Sequence, residues 1–432
     1  MTSSEALEAA VREARRRAAD EAERMLREGA KALRGSPERL GEVEKGLRNE
    51  ALKAGGSILG QAMALAGNGY EGSRRACACG KTQKYMNDRE REVVTLLGVV
   101  RLKRSYYWCA ACHRAEAPLD VRLQIEGTPF TPGVREMIGR VDAEVAFERG
   151  RELMGALANV WVSKRTHEQV AEGIGAEFLP ERRPEKRALP ANRRAVDQLY
   201  LSADGTTAPT LDGWREVKIG AIFEGHRGRD GEPRRDATRY FGDVTDSEAF
   251  GERWYQVARS MGLEDAHRVI VLGDGAAWIW NLAELHFPGA IQIVDWFHAT
   301  ERLWIVACAC FGEGTPEARA WEKAAEDLLA GGRVERVLRR MARLRPRRAE
   351  AKELLREAQG YFRNNAARMR YDRFRRLGLF IGSGVVEAGC KHIVGARLKQ
   401  SGMRWSHEGL RSILHLRLAV LNGDWPQQRD AA

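Results

Sequence analysis

The chain has 432 residues, enough for two or three domains and at least one sizeable core. A hydrophobic fraction of 44% excludes disorder throughout, and 71 Lys and Arg against 60 Asp and Glu give a net charge of +11. That balance points to a polyanionic partner. No run of about 18 apolar residues is present, so no membrane span is expected. The N-terminus, MTSSEALEAAVREARRRAADEAERM, is charged throughout and lacks the apolar core of a signal peptide. A cytoplasmic protein is therefore expected, in which the seven cysteines do not pair as disulfides.

Residues 1–68 form a helical region, with Leu7, Val11, Met25, Leu26, Leu40, Val43 and Leu47 recurring at helical spacing. Ser36-Pro37-Glu38 interrupts the run as a loop and helix start. The triplet Arg15, Arg16 and Arg17 suits DNA contact, but acidic neighbours on both sides favour a solvated hairpin or oligomerisation arm.

Residues 69–125 form a cysteine module. Cys77 and Cys79 are separated from Cys109 and Cys112 by the strand-like REVVTLLGVVRLKRSYYWC. Four thiolates satisfy tetrahedral zinc, so a zinc ribbon with a structural Zn2+ is expected, plain reduced cysteines being the alternative. His113 stands beside the second pair as an incidental residue or a replacement ligand. Arg101, Lys103 and Arg104, interleaved with Tyr106, Tyr107 and Trp108, suit either a nucleic-acid surface or a solvated hairpin face. Cys308, Cys310 and Cys390 have no such partners and are expected to be small buried apolar residues.

Residues 130–180 return to helical periodicity and end in a helix-turn-helix-like pattern. Ser163 is a candidate cap for a helix starting at Lys164, with Val170 and Ile174 facing inward. Lys164 and Arg165 would then be free to meet a major groove, although short amphipathic helix pairs also occur without DNA. Residues 181–196 are a basic, proline-containing linker suited to lie on phosphate.

Residues 197–300 read as strands and helices in a fixed order. QLYLSADGTTAP is an apolar strand ended by Asp204; WREVKIGAIFE and RYFGDVT follow as strands, and Ser247 to Met261 as a helix. VIVLGDGAAWIWN is a buried strand that ends at Asp274, and Ile291 to Val294 is another that ends at Asp295. Strand-strand-strand-helix-strand-helix-strand is the order of a ribonuclease-H-like α/β fold, in which the first and fourth strands pair. Asp204 and Asp274 are then neighbours.

The blocks SADGT, WREVKIGAIFE, GDGAAWIWN, DWFHATERLW and GSGVVEAGCKHIVGARLKQSGMRW, with CACG…YYWCAAC, resemble bacterial insertion-sequence DDE transposases of the ISKra4 group. The resemblance covers most of residues 70 to 425. It implies a DNA transposase whose catalytic Asp, Asp and Glu are Asp204, Asp274 and Glu387. Asp295-x-x-His298 resembles a signature that lies near the active site of Mutator-like and related transposases.

Residues 301–378 resemble the helical insertion that several transposases carry before the catalytic Glu helix. Arg339, Arg340, Arg343, Arg347 and Arg348 belong to a run that suits a solvated face or, in a DNA-holding protein, a backbone-binding one. Residues 379–432 carry the Glu helix, which Ser383 can cap. Lys391 shares a face with Glu387, and Arg397, Lys399 and Arg404 extend a candidate phosphate contact. Trp405 either stacks on a base or closes the core, the second being favoured.

Two Asp and one Glu are the oxygen donors that a pair of Mg2+ or Mn2+ ions needs beside a phosphate. Water attack would free a 3′-hydroxyl at the element end, which then attacks target DNA in the same site. Double-stranded DNA, at element ends and target, is the expected partner, with a homodimer or higher oligomer on it and a nucleoid-associated location. Two rival classes stay open: a zinc-containing DNA-binding regulator derived from a transposase, and a ribonuclease-H-like nuclease without strand transfer.

Overall fold

The structure is a computed structural model that describes residues 3–182 and 196–425. The expected basic linker therefore lies almost wholly outside the described residues. The chain divides into two compact units, Met1–Val170 and Ala171–Ala432.

The first unit opens with helices α1 (Ser3–Gly35) and α2 (Leu40–Leu65), joined by a short turn at Pro37–Arg39. The two helices meet through Gly29 against Val43 and Leu47, and through an Arg24–Glu50 ion pair of 2.6 Å. Arg16 and Arg17 both pair with Glu13 on an exposed face, in keeping with their acidic neighbours in sequence.

A four-stranded antiparallel sheet follows: β1 (Arg74–Ala76), β2 (Thr82–Thr95), β3 (Gly98–Cys109) and β4 (Arg114–Glu116), in that order. Alternation along β3 buries Val100, Leu102, Tyr107 and Cys109 and leaves Arg101 and Lys103 outside. Val93, Leu102, Leu119 and Ile125 form a small core, the last two from short helix α3 (Pro118–Arg122) and the turn after it. Each such side chain contributes about 1.5–3 kcal/mol by leaving water. Gly56 of α2 passes so close to the hairpin turn that a Cβ would sit 2.7 Å from the Leu97 carbonyl oxygen.

Helices α4 (Pro132–Glu144), α5 (Phe147–Leu153) and α6 (Lys164–Glu177) complete this region around Phe130, Val134, Ile138, Met154 and Val160. The boundary between units falls inside α6. Ser163 caps α6 as expected, its Oγ accepting the Thr166 N–H at 3.1 Å.

The second unit is built on a five-stranded sheet of order β7-β6-β5-β8-β9. Strands β5 (Gln198–Thr210), β6 (Gly213–Arg227) and β7 (Pro233–Asp243) are antiparallel; β8 (Arg268–Gly273) and β9 (Ile291–Val294) run parallel to β5. Helix α7 (Ser247–Ser260) links β7 to β8, and α8 (Ala277–His286) links β8 to β9. Residues Gln198 to Ala203 are all buried, as a central strand covered on both faces requires.

Helices α9 (Trp296–Phe311), α10 (Pro316–Ala330), α11 (Val334–Met341), α12 (Ala349–Asn364) and α13 (Tyr371–Arg376) occupy the expected insertion. Their Val306, Trp321, Leu329, Val337, Leu355, Phe362 and Tyr371 belong to one apolar core with β5, β8 and β9. These helices are thus continuous with the sheet domain rather than a separate body. Helix α14 (Gly384–Gly389), a wider π turn at Cys390–Gly395, α15 (Ala396–Leu398) and α16 (His407–Leu421) end the described fold. Asn422 exchanges hydrogen bonds with the Tyr240 backbone, and Arg239 pairs with Asp424, fixing α16 beside β7.

Candidate active site and metal centre

Parallel strands end where a ligand can approach, because the crevice beyond their carboxyl ends is free of side-chain layers. Asp274 directly follows β8 and Asp295 directly follows β9. Asp204 differs from expectation: it lies within β5, which continues to Thr210 as one arm of a hairpin with β6. The β5–β8 pairing, however, stops at Ser202 opposite Leu272. Asp204 and Asp274 therefore stand level, each two residues past the last shared rung.

The turn after β8 is tightly specified. Asp274 Oδ1 accepts the Ala276 N–H at 2.8 Å, and the Tyr361 hydroxyl donates to the Asp274 carbonyl at 2.8 Å. Gly275 sits at φ +104, in the left-handed region, and a Cβ there would run into the Tyr361 ring.

Asp295 is fully buried at the N-cap of α9, where its Oδ1 accepts the His298 N–H at 2.8 Å. Its other oxygen accepts the Ser383 N–H. The His298 ring brings Nδ1 to 3.2 Å from Asp295 Oδ1 and 3.7 Å from Glu387 Oε1. Ser383 Oγ lies 3.3 Å from the same Glu387 oxygen. Ser383 thus stands at the N-cap of α14 without the expected capping bond; its hydroxyl faces Glu387 instead.

Burial raises the Asp204 carboxyl, and the Asp274 charge adds to this against hydrogen bonds from Cys390 and Gly205. Burial alone would raise Asp295 as well, but hydrogen bonds from His298 and Ser383 outweigh it and hold that carboxyl below its usual range. The Asp295 hydrogen bond lifts His298 to about 9 against desolvation, with further help from the charges of Asp295, Glu387 and Asp274. An imidazolium is therefore gathered among carboxylates from β8, β9 and α14.

Among the described residues, the tightest acidic group is Asp295, His298 and Glu387, whose ligand atoms lie within 4.8 Å of one another. Asp204 and Asp274 are not part of that tight group. They sense it through charge, Asp204 through His298 and Asp274, and His298 through Asp274. Sequence reasoning missed Tyr361 and gave Cys390 and Ser383 other roles. Cys390 is not an inert core residue, since its thiol is bound to Asp204 and is pushed up by burial and that charge. Ser383, expected as a cap, faces Glu387, and Tyr361 holds the Asp274 carbonyl. Only Ser383, four residues before Glu387, left a local signal. Cys308 and Cys310 are half-buried rather than buried.

Lys391 is exposed on the π turn, with Glu387 directed to Ser383 and His298. Lys399 donates to Thr206 Oγ1 at 2.6 Å. Arg397 corrects the expectation of a phosphate contact: it is fully buried, with its guanidinium 5.2 Å from the Trp405 ring centre. Trp405 belongs to the core, as expected, and donates to the Leu398 carbonyl at 2.9 Å. Arg404, Arg339, Arg343, Arg347 and Arg348 are exposed, whereas Arg340 is half-buried over Trp321 at 5.7 Å.

In the first unit, Cys77, Cys79, Cys109 and Cys112 bring their sulfurs within 4.8 Å of one another, a group able to hold a metal such as zinc. A tight turn carries the first pair, with Gly80 N–H donating to Cys77 O at 2.9 Å and Cys77 N–H to Lys81 O at 2.7 Å. Backbone N–H groups of Cys112 and Ala111 hold the Cys109 thiol down to about 7, while burial and the other thiols push Cys112 up to about 12. His113 stands outside the group, its ring 6.1 Å from that of Trp108. Arg101 pairs with Glu92 and Lys103 with Asp88 across the β2–β3 hairpin, and Arg104 pairs with buried Asp120 of α3. Lys164 and Arg165 are exposed at the start of α6, while His167 turns inward onto Asp142 at 2.8 Å.

Together these features define a mixed α/β protein with a carboxylate and histidine cluster beyond its parallel strand ends and a four-cysteine module able to bind metal. The chain belongs to UPF0236, described as an uncharacterised protein family, whose profile matches residues 74–430. Similar relatives are UPF0236 proteins of Caldanaerobacter subterraneus subsp. tengcongensis. One is 24% identical over 351 residues, covering 79% of this chain and 70% of the relative. A second is 24% identical over 351 residues, covering 79% of this chain and 71% of the relative. Among the described residues no helix is long and apolar enough to cross a membrane.

Proposed function

We propose that the chain is a DNA transposase of the DDE type, similar to the ISKra4 insertion-sequence group, with a ribonuclease-H-like catalytic domain. The observation that carries this reading is that Asp204 in β5 and Asp274 just after β8 stand level on paired parallel strands, while Glu387 of α14 reaches His298, which feels the Asp274 charge. The sheet order, three antiparallel strands and then two parallel ones beside the first, supports the fold assignment. A further support comes from the relatives. The name of one strings together eleven locus designations in a single organism, the multiplicity that a self-moving gene leaves.

Asp204, Asp274 and Glu387 offer only carboxylate oxygens, the donors that a hard divalent cation prefers. Asp204, Asp274 and Glu387 would hold two Mg2+ or Mn2+ ions, which when bound activate the attacking oxygen and stabilise the leaving one. Asp295 and Ser383 orient His298 and Glu387 from behind, so the Glu carboxylate is directed before substrate arrives. Lys391, Lys399 and Arg404 lie on the same C-terminal segment and would meet the DNA backbone. The exposed Lys164 and Arg165 of α6 would meet duplex DNA at element ends. A cytoplasmic, nucleoid-associated protein acting as a dimer or higher oligomer goes with this reading.

The test uses purified protein, a plasmid carrying the DNA that flanks the gene, and Mg2+ or Mn2+. Cleavage with free 3′-hydroxyl ends that join to a second DNA supports the proposal. Cleavage without joining favours a nuclease, and binding without cleavage favours a regulator.

A further inference from the structure

Beside the acidic cluster lies a cavity of about 620 Å³, lined by Phe297, Phe380, Gly382, Val385, Arg235 and Arg375 among others. It is of the size that takes small molecules, roughly 300–1,000 Å³. Phe297 stands between Asp295 and His298 in sequence, and Val385 two residues before Glu387. Gly382 joins the two, since a Cβ there would lie 3.2 Å from the Phe297 ring and 3.6 Å from Asp295 Oδ2.

Three features constrain what enters. Phe297 is 63% exposed, although its neighbours Asp295 and Ala299 are fully buried. A large apolar ring left in water at the mouth of a cavity offers a face that a flat partner can cover. Gly382 brings backbone close to that ring, leaving no room for a side chain, since a Cβ there would lie 3.2 Å from Phe297 Cε2. The rim is cationic: exposed Arg235 and Arg375 have no carboxylate partner among the described residues and stand against one acid, Glu232.

An aromatic face and flanking arginines are the elements by which single-stranded nucleic acid is held, with bases stacked and phosphates paired. We infer that this cavity receives one unpaired nucleobase of the DNA strand whose phosphate the carboxylates address, with Phe297 stacking on it. The base leaves its duplex stack at the cleavage point, and Arg235 and Arg375 hold the adjoining phosphates. This rests on the proposed transposase function and adds a specific contact to it.

The probe is a short oligothymidylate carrying one 5-iododeoxyuridine, bound to the full chain in Ca2+ and irradiated. Wild type is expected to crosslink at the Phe297 peptide. Phe297→Ala should lose the crosslink and bind the oligonucleotide about fivefold or more weakly, with duplex affinity retained. Phe297→Tyr should restore both, which shows that the ring and not the fold is being read. A crosslink and affinity unchanged in Phe297→Ala would overturn the base pocket while leaving the transposase reading in place. Failure of wild type to bind either single-stranded or duplex DNA would overturn both.

Discussion

His298 Nδ1 lies 3.7 Å from Glu387 Oε1, although one residue opens helix α9 and the other sits on α14 beyond five intervening helical segments. The contact ties the end of β9 to the helix expected to complete the carboxylate set. Asp295 enforces it from the buried side, accepting hydrogen bonds from His298 and from the Ser383 backbone.

That relationship has a pH signature. The folded pKa of His298, about 9, is raised above its ordinary value of 6.5. Its contribution to stability is fully present below about 6.5, falls as pH rises, and is lost above about 9. In metal-free protein, Tm should therefore decline between those limits more steeply in wild type than in His298→Gln. The difference is a few degrees at most, because the ring is partly solvated. Parallel Tm–pH curves for the two proteins would remove the protonated histidine from the account.

The cysteine group predicts about one zinc per chain by elemental analysis of purified protein. Cys109→Ser should abolish stoichiometric zinc and loosen the β1–β4 sheet, since metal binding and local folding are coupled. A folded, reduced wild-type protein without metal would contradict this.

Exposed Arg339, Arg343, Arg347 and Arg348 are expected to meet phosphate, whereas Arg340 packs on Trp321. Changing the four to Gln should weaken DNA binding and reduce the slope of log K against log salt by about 0.9 for each phosphate no longer neutralised. Arg340→Ala should instead lower thermal stability, because the indole loses the guanidinium packed on it. A salt slope that does not move assigns the four to an ordinary solvated face.

Much of the site is legible in the sequence because local chemistry dictates it. Apolar runs over Val269–Gly273 and Ile291–Val294, each stopped by Asp, mark buried parallel strands, and both strands form where expected. The four cysteines are legible as two close pairs flanking a hairpin. Asp204 reads as a strand end, yet β5 continues past it on the strength of its hairpin with β6, a partner choice invisible from β5 alone. Cys390 and Tyr361 reach the aspartates only through tertiary packing, and Tyr361 lies 87 residues from Asp274. Arg397 carries the charge of a DNA-binding residue, but helix α15 turns it into the core beside Trp405.

The most direct measurement compares wild type with Asp274→Ala on plasmid DNA bearing the flanking sequences of the gene, in Mg2+ or Mn2+, with binding followed in parallel. Asp274 holds its own turn through Ala276, so circular dichroism on the variant accompanies the assay. The account predicts metal-dependent strand cleavage by wild type, a loss of at least about 100-fold in the folded variant, and DNA affinity within a few-fold of wild type. Undiminished cleavage by Asp274→Ala, or flanking DNA bound but never cut by wild type, would contradict it.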